Sequence, residues 1–351
     1  MVGCQKYDIQ NLRGSKMKLS ILPTILLLVL PYGYCIKSLN VRQITGSAEN
    51  TDLPFWDQDR QVLYAVNLNK PTIYQWDYKT GNVTSIELAQ KSIGAVVSVE
   101  GSSNKLVVLA DRDVLKVEWD GKKNNTGKIQ NMKKNGNFEE KDEPAEAKVG
   151  PGGKLWLGTY QLEEGPGYNF AKGKGSLYAL TFQGGDTVTI EKKLSNLTFP
   201  TGIAFSPDDE HFYLVDYPSN TIQKFVFDKE NYKLGKSEKL FDLADHRQAR
   251  GKVSNIVVGT HGSLSLSLYN GSSILDIDSN TGKVKSFITL PIHLPTGLEW
   301  GGPKNDTLYV GSSTNSLPKK YLELNAFSSG AIYAIENMGV TGFSSRRLKI
   351  N

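Results

Sequence analysis

A short apolar strand pattern recurs six times along the chain, and a fixed period of this kind constrains the fold more than any other feature of the sequence. The copies lie at 62–66, 105–109, 154–158, 211–215, 263–267 and 307–311. Their second apolar residues are Leu63, Leu106, Leu155, Phe212, Leu264 and Leu308, spaced by 43, 49, 57, 52 and 44 residues. A second run follows each copy: 72–77, 114–120, 176–180, 221–228, 273–278 and 331–335. Turn signals come next, such as Thr80-Gly81 and Thr281-Gly282. A further apolar run precedes most copies, as in 92–99, 201–205 and 296–300. Alternation with period two and the lack of an amphipathic helical stretch predict an all-β chain. Six units of three or four strands predict a six-bladed β-propeller. A β-sandwich, the other all-β solution of this size, gives no reason for six spaced copies. The segment 39–44 is expected to supply the outer strand of the last unit and close the ring. The stretches 121–145 and 162–175 read as solvated loops. Lys122, Lys123, Lys128, Lys133 and Lys134 read as surface charge rather than a ligand patch.

The N-terminal end has a different character. Residues 19–30 are almost free of polar groups and follow Lys16 and Lys18, the pattern of a secretory signal. Twelve such residues are too few for a comfortable membrane span, which takes about 20. The expected organisation is a signal peptide over 1–35, with Met17 the better start, and a single domain over 36–351. An uncleaved anchor is the other reading. The cysteines, Cys4 and Cys35, both fall in the signal, so the mature chain would rely on its core rather than on disulfides. Sequons at Asn82, Asn124, Asn196, Asn270 and Asn305 agree with secretion and predict glycans. Lys and Arg number 41 against 36 Asp and Glu, and this small, dispersed excess gives no warrant for nucleic-acid binding.

In a propeller, the starts of the innermost strands ring one mouth of a central channel, a natural concave site. Counting 10 to 12 residues back from each repeated apolar position gives Asp52, Ala95, Ala145, Thr201, Ser254 and Thr296. Glu146 stands one step from its ring position. Tight binding of a divalent cation takes several oxygen ligands, usually with two or more carboxylates, and this ring offers Asp52 and a few hydroxyls. Asp52 reads equally well as a turn residue before Pro54. His293 precedes the sixth inner strand and reads either as a channel-mouth residue or as a hydrogen-bonded loop histidine. The chain has no G-x-S-x-G elbow and no phosphate-cradling glycine loop.

Several stretches carry a family likeness. They are 53–56 followed by Leu63-Tyr64 and 74–77; 150–159, which reads Gly-Pro-Gly-Gly-Lys-Leu-Trp-Leu-Gly-Thr; 200–207 with 212–216; 264–271; and 330–335 with 339–342. In their order and spacing the chain resembles the senescence marker protein / gluconolactonase / luciferin-regenerating enzyme family, the regucalcin-like proteins, from about residue 45 to 346. The resemblance implies a six-bladed propeller that binds one divalent cation, calcium or zinc, and hydrolyses sugar lactones or related esters. It carries the metal positions onto Asp52, Thr201 and Ser254, where the family has Glu, Asn and Asp. It carries the substrate segment Arg-x-Asn-Asp-Gly onto 143–147, which places Glu143, Ala145 and Glu146 where the family has Arg, Asn and Asp. Two metal ligands become hydroxyls, so metal affinity and lactonase activity are expected to be weak. Two functions then compete: a metal-assisted lactone or ester hydrolase, and a non-catalytic binding protein for a small ligand or a partner protein. A strictosidine-synthase-like or paraoxonase-like propeller is a third reading. Fold alone does not choose between them.

Overall fold

The computed structural model describes residues 25–26, 39–46, 50–123, 125–165, 169–184, 186–314 and 330–350. The expected signal peptide lies outside them, apart from a two-residue strand, Ile25–Leu26, that runs antiparallel to Leu39–Asn40. Among the described residues the regular structure is β-strand, with short 3-10 turns at Pro151–Gly153 and Leu243–Asp245. No helix among them is long and apolar enough to cross a membrane.

The strands form a β-propeller. Four sheets stand separately, each built on an antiparallel meander of four consecutive strands, and one of them carries a further parallel edge strand. They begin with the inner strands Ala95–Ser98, Glu143–Val149, Phe199–Phe205 and Lys252–Gly259. A larger, nine-stranded sheet joins the first and last repeats. On one side it holds Asn50–Asp57, Val62–Asn67, Thr72–Asp77 and Val83–Glu87. On the other it holds Pro295–Gly301, Thr307–Ser313, Tyr333–Glu336 and Leu39–Gln43. The separateness expected of six equal units therefore breaks down at this seam. The cause is local: Ser312 pairs with Thr51 and Ser313 with Asn50, so hydrogen bonding continues from the last repeat into the first. The innermost strands pack against one another in chain order, and Pro295–Gly301 returns to Asn50–Asp57. Leu39–Gln43 pairs antiparallel with Tyr333–Glu336, the ring-closing role expected of the segment 39–44.

The repeat holds at the level of single residues. Leu63, Leu106, Leu155, Phe212, Leu264 and Leu308 each lie in the second strand of their unit, and none is more than 1% exposed. Inward they pair with Trp56, Ser98, Val149, Phe205, Val258 and Trp300. Outward they pair with Trp76, Val117, Leu180, Phe225, Ile277 and Ile335. Alternate side chains of a strand face opposite sides of its sheet, so each such row packs against the neighbouring sheet and the core continues around the ring. Aromatic rings fill it where the sheets splay. Trp156 meets Phe205, Phe212 and Phe227 with ring centres 5.5–5.7 Å apart.

One stretch differs from its sequence reading. Within 121–145 two short exposed strands form, Lys128–Asn131 and Lys133–Asn135. The second pairs in parallel with 187–189, adding an edge strand to the next sheet. Its lysines remain surface charge, with Lys128 and Lys133 exposed and Lys134 3.8 Å from Asp113.

Truncating one of the repeated residues leaves a cavity in a packed row. Leu264→Ala is expected to cost about 2–5 kcal/mol and Phe212→Ala about 3–5 kcal/mol. Val226, on a neighbouring strand but 57% exposed, should lose no more than ~0.5 kcal/mol on the same change. Urea denaturation of the three variants checks this, and equal losses would contradict the register.

Candidate functional site

The inner strands are interrupted where the site should be. Register shifts fall between Asp52 and Phe55, Pro144 and Glu146, Pro200 and Gly202, Val253 and Asn255, and Pro295 and Leu298. Such bulges place extra residues opposite one partner and re-aim side chains. They fall at or beside the ring positions Asp52, Ala145, Thr201, Ser254 and Thr296. A proline lies next to or within four of the five shifts. Proline has no N–H to give to the ladder, so it fits where pairing is already broken.

Asp52 is held from both sides. Its Oδ1 accepts the N–H of Leu53 at 2.7 Å and of Gly297 at 2.6 Å, the latter from the last inner strand. Leu53 takes a positive φ of 50°, which turns its N–H back onto the carboxylate. Gly297 cannot be replaced freely, because a Cβ there would lie 2.5 Å from Asp52 Oδ1. Burial raises the Asp52 pKa, and the two N–H donors oppose that rise.

Glu146 and Asn255 follow their bulges and meet across the channel. Asn255 Nδ2 donates to Glu146 Oε2 at 2.7 Å and to the Thr201 carbonyl at 2.9 Å, and its Oδ1 accepts the Leu298 N–H at 3.2 Å. Burial pushes the Glu146 pKa up to about 8, against the pull of Lys148 and of the Asn255 hydrogen bond. Deeper along the axis Lys148 Nζ lies 2.7 Å from Glu299, whose side chain is 1% exposed. Burial disfavours the Lys148 charge, but Glu299 and Glu146 outweigh it and hold the pKa above the ordinary lysine range. A cavity of about 20 Å³, room for a water or two, lies among Pro54, Ala95, Glu146, Lys148, Asn255 and Ser345.

The C-terminal segment covers the other mouth, where the inner strands end. Gly342 bridges to Gly259, Leu348 to Val99 and Ile350 to Phe182. Ser345 donates to Glu299 through both its N–H and its hydroxyl at 2.9 Å. Arg347 reaches Asp59 at 2.7 Å and the Val99 carbonyl at 2.8 Å.

Of the residues named from the sequence, the structure brings together Asp52, Glu146, Thr201 and Thr296 with the strands that carry Ser254 and Ala145. Ala95 is buried in the cavity wall. Glu143 stands higher on the rim, 3.4 Å from the Tyr160 hydroxyl. His293 contacts Ser272 at 3.4 Å, in keeping with the loop-histidine reading. Sequence reasoning missed Asn255, Lys148, Glu299 and Ser345. Asn255 and Glu146 stand one step beyond ring positions, and the bulges turn that step into the channel.

A divalent cation does not fit this donor set well. Asn255 spends its amide donors on Glu146 and Thr201 and its oxygen on Leu298. Asp52 Oδ1 already accepts two N–H groups. The Thr201 hydroxyl is buried without a hydrogen-bond partner, but it is neutral. Among the described residues no three His, Cys, Asp or Glu side chains cluster as a metal site.

Comparisons with known proteins agree with the architecture. The family described as SMP-30/Gluconolactonase/LRE-like region matches residues 51–314. Regucalcin of Gallus gallus is 24% identical over 293 residues, which span 82% of this chain and 91% of the relative. Human regucalcin is 22% identical over 298 residues, spanning 83% and 92%. Among solved structures, a luciferin-regenerating enzyme superposes with a TM-score of 0.77 at 22% identity, covering 89% of this chain and 100% of the other. A calcium-binding regucalcin from Agrobacterium tumefaciens superposes at 0.73 with 19% identity, covering 88% and 97%.

The raised pKa of Glu146 has a consequence for stability. A carboxyl whose folded pKa exceeds its unfolded value binds more protons in the native state, so its contribution is full below about pH 4.5 and lost as pH rises through about 8. Glu146→Gln keeps an acceptor for Asn255 and is expected to flatten the fall in stability between pH 5 and pH 8. Denaturant melts across that window check this, and an unchanged slope would contradict it.

Proposed function

The chain belongs to the SMP-30/gluconolactonase/LRE-like family, and from that premise we propose a secreted, small-ligand-binding propeller in which the family's metal-assisted hydrolysis of lactones or esters is weakened. The observation that carries this reading is the amide of Asn255, bonded to Glu146, to the Thr201 carbonyl and to the Leu298 N–H. A network closed on itself leaves few free oxygens, and the hydroxyls at Thr201 and Ser254 bring no charge to a cation. Without a firmly held cation, a carbonyl is not polarised and water is not activated at that point.

The nine-stranded sheet is counted here as two blades, which with the four separate sheets makes six. The cyclic packing of the inner strands supports that count. Secretion rests on the apolar stretch 19–30 and the sequons. Asn82, Asn196 and Asn270 are exposed, whereas Asn305 is half-buried, which supports glycans at the first three. Asn124 lies outside the described residues. The occupant of the channel mouth is read as a lactone or another small molecule, with a partner protein as the alternative. One observation favours retained hydrolysis: Glu146 brings a second carboxylate into electrostatic contact with Asp52, which together with Asn255 would make a displaced ligand set.

Calorimetric titration with calcium and with zinc separates these readings. The parent is expected to bind weakly, and Thr201→Asn with Ser254→Asp is expected to raise affinity by about tenfold or more. A parent that keeps one equivalent of cation through purification, loses it on Asp52→Ala and hydrolyses lactones only when loaded would establish the hydrolase reading instead.

A further inference from the structure

The rim above the bulges carries a second regularity. Glu143 pairs with Tyr160, Phe199 with Tyr217, and Lys252 with Tyr269, each pair closing the upper end of its sheet. The three tyrosines are therefore register-equivalent on consecutive sheets, and all three are half-buried. Between the first two of these sheets the rings meet in a continuous wall. Tyr160 and Phe199 centres lie 4.6 Å apart, Phe170 stacks on Phe199 at 4.1 Å, and Tyr217 stands edge-on to Phe170 and Phe199 at 6.0 and 6.1 Å. Phe170 is delivered by the stretch read from sequence as a plain solvated loop.

Charge beside this wall is mixed, with Lys172 and Lys174 exposed in the loop that carries Phe170, and Glu143 is the carboxylate at its edge. Glu143 accepts from Tyr160 there. Lys148, deeper still, is taken up by Glu299. Lys252 stands on the far sheet, beside Tyr269. Aromatic faces next to carboxylates attract an organic cation, the ring quadrupole and the negative charge acting in the same sense.

We propose that the channel mouth takes an aromatic amine, its ring against Tyr160, Phe199 and Tyr217 and its ammonium toward Glu143. This rests on the small-ligand reading of the mouth, but not on the state of the metal positions. A sugar lactone offers neither the flat apolar ring nor the positive charge that this rim selects.

The test uses phenethylamine as the cation and 3-phenylpropionate as an anion of the same shape, each titrated calorimetrically into the full glycosylated protein with chelator present. Phenethylamine is expected to bind at least about tenfold more tightly. Glu143→Gln should remove most of that preference while leaving the thermal melt unchanged, and Tyr217→Ala should weaken both probes. Because Tyr217 sits in a packed cluster, Tyr160→Leu serves as a second variant with the same expectation. Equal binding of the two probes, tighter binding of the acid, no binding of either, or a preference untouched by Glu143→Gln would each overturn the proposal. Repeating the titration in calcium keeps the two ideas apart. A cation-loaded, lactone-hydrolysing protein that still prefers phenethylamine refutes the weakened-site reading alone. A cation-free protein without the preference refutes the amine site alone.

Discussion

The channel mouth depends on the hydrogen bond from the Gly297 N–H to Asp52. At 2.6 Å it ties the last inner strand to the first across the one seam where the chain does not run on from unit to unit. A propeller assembled in sequence must join its ends, and here three devices do so. Leu39–Gln43 extends the final sheet from the N-terminal side. Ser312 and Ser313 pair with Thr51 and Asn50. The C-terminal segment binds the opposite mouth through Gly342, Ser345, Arg347, Leu348 and Ile350. Asp52 lies where the ring closes. A carboxylate engaged by two backbone donors is a structural clasp.

Electrostatics follows from that closure. The inner strands crowd their polar side chains into a buried axis, and an isolated charge there is costly. The structure meets this with Lys148 between Glu299 and Glu146, and with Ser345 from the tail completing the Glu299 shell. A buried pair of this kind tolerates the loss of both partners better than the loss of one. The lysine supplies positive charge inside the channel, so the carboxylates there have less need of an external cation. Among the described residues no ion pair is formed by Glu143 at the rim, and the aromatic wall begins there.

The fold was largely legible because its signal is repeated. Leu63, Leu106, Leu155, Phe212, Leu264 and Leu308 recur at a period that fits a circular array of meanders, and every one is buried in the same register. The site was half legible. Asp52, Thr201 and Thr296 follow from counting back along each unit, but a strict period of two puts Glu146 and Asn255 on the wrong face. A bulge inserts one residue and inverts the alternation beyond it, and nothing in the local composition apart from neighbouring prolines announces it. Lys148 and Glu299 were invisible for another reason. Glu299 is a lone charge in an otherwise uncharged strand, Lys148 follows two glutamates in its own, and the pairing is made by residues 151 positions apart. The aromatic rim was overlooked because Phe170 falls in a glycine- and lysine-rich stretch with no strand pattern.

The most direct measurement is a crystal structure of the protein purified without chelator and crystallised without added cation, with anomalous differences used to locate any ion it retains. The network described here predicts no calcium beside Asp52, the Asn255 amide still bonded to Glu146 and the Thr201 carbonyl, and Gly297 still donating to Asp52. A calcium ion bound jointly by Asp52, Glu146 and the Asn255 oxygen, with the amide turned away from Glu146, would contradict it.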